Sequence, residues 1–287
     1  EYGAAGRWTD SDMVRFRYGL PEKLGGWIKL INSTLVGVAR DMHAWTSLDG
    51  VRYTAIGTDR KLYIYTEGVA YDITPIRATG SITGFETFST TTVTVTDPSH
   101  NAEVGDFVTI SSTSGAVNGI PAATMDAEYQ ILTVPTANTY TITTATAATS
   151  TGTSTATATA TYQISVGTAV SQYGYGWGTY EWGKEAWGTP RSTSNVTIEG
   201  RNWSFDNFGE DLLATVNNGN TFRWDTSVGT GTPAAVISAA PTVSRFNLVS
   251  MPDRHVFLFG TETTIGSSTT KDDLFLRFAS QEDYNTW

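Results

Sequence analysis

Apolar and polar residues alternate with a period of two through much of the chain, the pattern of strands that bury one face. Residues 91–96 read Thr-Thr-Val-Thr-Val-Thr and stop at Asp97-Pro98, and Gly105-Asp106 turns into a second run at 107–110. Two more runs, 128–134 and 139–143, are separated by Pro135 and Asn138. Near the start, Val14, Phe16 and Tyr18 alternate with Arg15 and Arg17. This predicts one amphipathic strand with the arginines on its polar side. The Thr/Ala/Ser-rich stretch 145–160 predicts a polar strand edge or a loop.

A weak internal repeat lies on either side of these central runs. Residues 44–57 set beside 202–215 run in register from Gly50 and Gly209. Ala55 then matches Ala214, Tyr63 matches Phe222, and Tyr65 matches Trp224. A looser third copy follows in 253–260 and 274–278. Short antiparallel strands in units of about 40 residues are the signature of β-propeller blades. Three copies are too few to close a propeller ring. Since residue 1 is not Met and Trp287 ends an unfinished unit, the expectation is a piece of a longer chain, with further blades beyond Trp287.

Charge divides the sequence in the same places. Residues 1–77 carry ten Lys/Arg against nine Asp/Glu, and no Lys or Arg occurs between Arg77 and Lys184. An insert with its own surface explains that gap. The expected class is all-β: an N-terminal segment with a first propeller-like blade over 1–78, an inserted small β-sandwich or barrel over 79–168, and an aromatic Gly-rich loop with further blades over 169–287. With no cysteine, disulfide scaffolds and thiolate chemistry are excluded. The net charge of −10 argues against a dedicated nucleic-acid binder, which needs stripes of Lys and Arg. No stretch approaches the roughly 18 apolar residues of a membrane span.

Candidate chemistry is sparse. Residues 178–184 satisfy G-x-x-x-x-G-K, but Glu185 stands where a P-loop needs Ser or Thr, and Pro190 forbids the long helix that should follow. His43, His100 and His255 lie in different segments with no ligand-spaced partner, and no G-x-S-x-G is present. Asp10/Asp12 and Asp272/Asp273 read as solvated turn residues. No enzymatic activity, cofactor or metal is therefore expected. The most unusual segment, 173–188, places Trp177, Trp182 and Trp187 at five-residue spacing, each followed by Gly. Such rings anchor a loop or a subunit contact, or stack on sugars. Arg15 and Arg17 are the other contact candidates, either against an acidic neighbouring chain or against DNA.

Several stretches, in order, resemble one family. Residues 12–27 (DMVRFRYGLPEKLGGW), His43-Ala44-Trp45, 57–65, 71–75, the Tyr-Gly-Trp-Gly loop, 203–213 and 281–287 are similar to tail hub or nozzle proteins of short-tailed bacteriophages, the packaged-DNA-stabilisation or tail tubular type. The likeness covers both flanks, and the insert resembles β-rich modules that phage structural proteins carry. It implies a propeller-based subunit in a homo-hexameric ring within the virion tail. The portal–adaptor complex and other tail proteins, fibres included, would be its neighbours, and phage DNA would pass through without specific binding. The family offers no catalytic residue to carry over. The alternative is a glycan-binding, host-recognition propeller module that uses the Trp/Tyr loop.

Overall fold

A computed structural model describes residues 12–26, 29, 31, 33–171 and 199–287. The chain divides into two units, 1–34 and 35–287. In the first, β1 (Val14–Arg17) turns at Tyr18-Gly19 and pairs antiparallel with β2 (Leu20–Lys23). This corrects the single strand expected from the alternation. Tyr18 and Gly19 both take positive φ, 52° and 79°, so the run reverses where the pattern would have continued.

The second unit begins with a meander of four strands, β3 (Ala39–Thr46), β4 (Arg52–Thr58), β5 (Leu62–Thr66) and β6 (Val69–Asp72), paired in that order. Nine strands then form two antiparallel sheets. These are β7 (Ile76–Ile82), β8 (Gly84–Phe88), β9 (Thr92–Thr96), β10 (Phe107–Ser111), β11 (Glu128–Gln130), β12 (Thr133–Thr136), β13 (Thr139–Thr143), β14 (Thr151–Ser154) and β15 (Ala158–Gln163). The strand orders are β11-β10-β15-β7 and β12-β13-β9-β8-β14, and among the described residues neither sheet closes into a barrel. Between them lies one core that includes Phe85, Val93, Val95, Ile110, Tyr140 and Tyr162. The insert is therefore a sandwich.

Two readings of this region are corrected. Residues 128–134 do not form one strand but cross from one sheet to the other. The Ile131 N–H donates to the Asp106 carbonyl, while the next N–H, from Leu132, donates to Thr141 across the sandwich. The low-complexity stretch is loop over 145–150 and 155–157 and an edge strand at β14, and departs from that reading only at its end. In β15, Ala158 and Ala160 are buried in the core of an interior strand, where small side chains let the sheets approach.

A second meander follows, β16 (Trp203–Phe208), β17 (Asp211–Val216), β18 (Thr221–Trp224) and β19 (Ala235–Val236), and then a third, β20 (Phe246–Val249), β21 (Val256–Phe259) and β22 (Leu276–Phe278). The three meanders stack face to face. Ala55, Ile64 and Ile73 of the first meet Trp203, Leu212, Phe222 and Trp224 of the second, and Leu213 on the opposite face of the second meets Val249, Val256 and Leu258 of the third. Contact is led by the first strand of each sheet, because β16 packs on β3 to one side and on β20 to the other. Sheets packed through their leading strands in this way have the propeller-like arrangement of successive blades.

The repeat is real, but its alignment slips. Leu48-Asp49-Gly50 makes a three-residue loop between β3 and β4, whereas Gly209-Glu210 makes a two-residue turn between β16 and β17. At the next turn the lengths reverse, with Asp59-Arg60 against residues 217–219. Ala55 pairs with Ile64, and Ala214 pairs with Phe222. Phe222 therefore corresponds to Ile64, not to Tyr63 as the ungapped alignment predicts.

The sandwich is fastened to the first meander by a buried cation. The Lys61 ammonium, almost wholly buried, donates to Asp72 Oδ2 at 2.6 Å and to both oxygens of Glu128 at 2.7 Å. It also lies 4.4 Å from the centre of the Phe107 ring. Gln163 Nε2 donates to Glu128 Oε1 at 2.9 Å. Burial opposes charge on Lys61, but the bonds to Asp72 and Glu128 outweigh it and hold the ammonium above its ordinary pKa of 10.5. Burial would likewise raise the Asp72 carboxyl, yet hydrogen bonds from Lys61 and Thr74 keep it below 3.8.

Candidate functional site

The third sheet has two apolar faces, and among the described residues only one is covered. Val249, Val256 and Leu258 point toward the second sheet. On the other face, cross-strand pairing aligns Phe246 with Phe259, Leu248 with Phe257, Phe257 with Phe278 and Phe259 with Leu276. These six apolar side chains form one continuous surface. Phe246 and Phe259 stack with ring centres 4.5 Å apart, and Phe257 lies 6.0 Å from Phe278. Phe246 is 47 % exposed, Leu248 50 %, Leu276 45 % and Phe278 59 %. Contiguous apolar patches of this kind mark interaction surfaces, while scattered exposed apolar residues do not. A signal for it lay in the sequence. Val256-Phe257-Leu258-Phe259 is apolar at every position, as expected of a strand buried on both sides.

A cleft of about 650 Å³ opens beside the turns of the three meanders, lined in part by Leu48, Phe208, Glu210, Arg223, Arg254 and Tyr284. Arg223 donates from Nε and Nη2 to Asp211 Oδ2 at 2.8 and 2.6 Å and from Nη2 to Asp225 at 2.8 Å, with its guanidinium 4.9 Å from the Tyr284 ring centre. Burial opposes the charge on Arg223, but Asp211, Tyr284 and Asp225 together raise its pKa. Hydrogen bonds from Ser227, then the Arg223 charge, lower that of Asp225. Glu210 Oε1 accepts from the Leu48 N–H at 2.6 Å. These three carboxylates hold turns and a hairpin in place.

Of the residues singled out in the sequence, Arg15, Arg17 and the three histidines fall among the described residues. Arg15 Nε donates to Glu22 Oε2 at 2.9 Å across the β1–β2 hairpin, and the Arg17 guanidinium sits 5.5 Å from the Tyr18 ring centre. Trp177, Trp182 and Trp187 lie outside the described residues. Each histidine has a structural partner: His43 bonds to Asn207 Oδ1, His100 Nδ1 accepts from the Ala102 N–H, and His255 Nδ1 lies 2.9 Å from the Ala279 carbonyl oxygen. Among the described residues no group of His, Asp or Glu is arranged to hold a metal ion. None of their helices is long and apolar enough to cross a membrane.

No family model matches the chain, and no curated protein does. Among solved structures, the phage phi92 endosialidase aligns over 91 % of this chain at 14 % identity with a TM-score of 0.25. The chain spans 40 % of the length of that structure. A superposition this loose does not establish a shared fold.

Proposed function

We propose that this chain is a structural subunit of a short-tailed phage tail, a ring-forming hub or nozzle component around the channel that retains and releases DNA. The observation that carries the reading is the open apolar face of the third sheet. The first two sheet interfaces are built from such faces, so the third calls for a further sheet that continues the stack. The residues of the flanks that resemble tail hub proteins support the same role, as does the charge. A DNA channel works by not gripping its contents, since each Lys or Arg contact to phosphate adds affinity. The net charge of −10, and the absence of any Lys or Arg between Arg77 and Lys184, suit a wall that DNA slides past.

Sedimentation velocity and tryptophan fluorescence of the full-length protein separate this from glycan recognition. A channel subunit self-associates, and host oligosaccharide leaves its fluorescence unchanged. Persistent monomers whose fluorescence is quenched by sugar would overturn the proposal and make the Trp177–Trp182–Trp187 loop the leading site.

A further inference from the structure

The cleft beside the turns of the three meanders continues past the Arg223–Tyr284 pair. A second hollow, of about 340 Å³ and walled in part by Val228, Pro233 and Ile237, shares Arg223, Asp225 and Tyr284 with it, so the two form one groove. Its lining is apolar where Phe208 meets Tyr284 edge-on, with ring centres 5.4 Å apart. Three aliphatic side chains stand at its rim, Leu48 92 % exposed, Met251 81 % and Val228 52 %. Single exposed aliphatics need no explanation, but three around one groove mark a contact surface. A small molecule inside the groove would leave those side chains in water. A macromolecular partner lying across the rim covers them.

Charge decides what kind of partner that is. The loops that supply the lining, 47–50, 209–211, 225–234, 250–255 and 279–287, hold seven Asp or Glu against Arg254 alone. Arg223 reaches in from β18, so the excess is five negative charges, half of the chain's net −10. Arg52 and Glu67, next to the first of these loops, cancel each other. Arg223 is already bound to Asp211 and Asp225. Glu210 uses Oε1 for the Leu48 N–H, and its Oε2 accepts nothing among the described residues. Such a rim repels phosphate, whether of DNA or of a membrane surface. The sandwich of a second copy is equally unsuited, since no Lys or Arg occurs between Arg77 and Lys184.

We propose that this groove docks an extended segment of another protein, one in which an aliphatic residue is flanked by lysine or arginine. The aliphatic side chain packs between Leu48 and Met251 over Phe208 and Tyr284, and a flanking cation meets Glu210. Arg254 makes no side-chain hydrogen bond among the described residues, with Glu282 3.7 Å away. It is placed to donate to a backbone carbonyl of the bound segment. Apolar contact at the centre supplies affinity, and the acidic rim selects a basic partner and speeds its arrival.

The test is fluorescence anisotropy of a labelled serine-rich peptide carrying Lys-Leu-Lys at its centre, titrated with the full chain. The same peptide with Lys-Ser-Lys or Glu-Leu-Glu serves as reference. Lys-Leu-Lys should bind saturably and at least about tenfold more tightly than either reference. Its binding should weaken as salt rises from about 50 to 500 mM. Leu48→Ser, Met251→Ser and Glu210→Gln should each lower the affinity at least about fivefold. Glu86→Gln, on the outer face of the sandwich, should leave it unchanged. Three results would overturn the proposal: no saturable binding of Lys-Leu-Lys, equal binding of all three peptides, or equal losses in Glu86→Gln and Glu210→Gln. Leu48 and Met251 are almost wholly in solvent, so their variants fold even if Glu210→Gln disturbs its loop. Unchanged affinity in both of those variants would overturn the proposal as well.

Discussion

Lys61 shows most clearly how one side chain joins two bodies of this fold. It immediately precedes β5 in the first meander, yet it is bound by Glu128 on β11 of the sandwich. Replacing it with methionine leaves Asp72 and Glu128 facing each other without a cation. Both carboxylates keep some solvent, so Lys61→Met should cost about 2 kcal/mol in urea unfolding, less than the ~3–5 kcal/mol of a fully buried pair. Glu128→Gln in the same background should recover part of that loss. The pH dependence follows from the two shifts. Asp72 is depressed in the folded state, so its contribution is complete above pH 3.8 and is lost as pH falls through its lower folded value. Lys61 is raised, so its contribution is complete below pH 10.5 and is lost as pH rises through its higher folded value. The stability difference between wild type and Lys61→Met should be flat from about pH 5 to 9 and shrink on both sides. A difference that does not vary from pH 2 to 12 would contradict the assignment. Nothing in the local sequence around Lys61 marks it, because its partners lie 11 and 67 residues away.

Among the elements, what could be read in the sequence depended on whether a strand had one buried face. β9 and β13 alternate cleanly, and they and β10 occur within a residue of the runs that predicted them. β7 and β15 were not anticipated, because Gly, Ala and Thr in the interior of a sheet leave no apolar–polar contrast to read. The repeat was visible, but the shift between its copies was not: the paired positions Ala55 and Ile64 are one residue further apart than Ala214 and Phe222, and an ungapped alignment conceals that. The docking of the first two meanders depends on another residue without contrast. The Trp203 indole lies over Gly57, where a Cβ would fall 2.4 Å from Trp203 Cδ1, and its Nε1 donates to the Thr58 carbonyl at 2.7 Å. Gly57→Ala must push this buried ring aside, and overpacking of this kind costs about 1–3 kcal/mol. Equilibrium unfolding should show that loss, with a shifted Trp emission maximum in the folded state. An unchanged midpoint and spectrum would mean that the ring is free to move.

At the scale of the second unit, the three meanders form a stack, and among the described residues the outer face of the third sheet is left open. That face was missed in the sequence because its strands were read as a third repeat and not for what each side would touch. Leu248→Asp and Phe278→Asp place charge on half-exposed positions, so each should change folding stability by no more than about 1 kcal/mol. Both should abolish self-association in sedimentation velocity, and association that persists in the double variant would show that this face is not the one used. The role proposed for the protein is tested most directly by electron microscopy of the full-length chain assembled on a portal–adaptor platform. The account predicts hollow six-fold rings whose class averages place the third sheet at a packed interface. Isolated monomers on every platform, or rings with Phe246, Leu248 and Phe278 left in solvent, would contradict it.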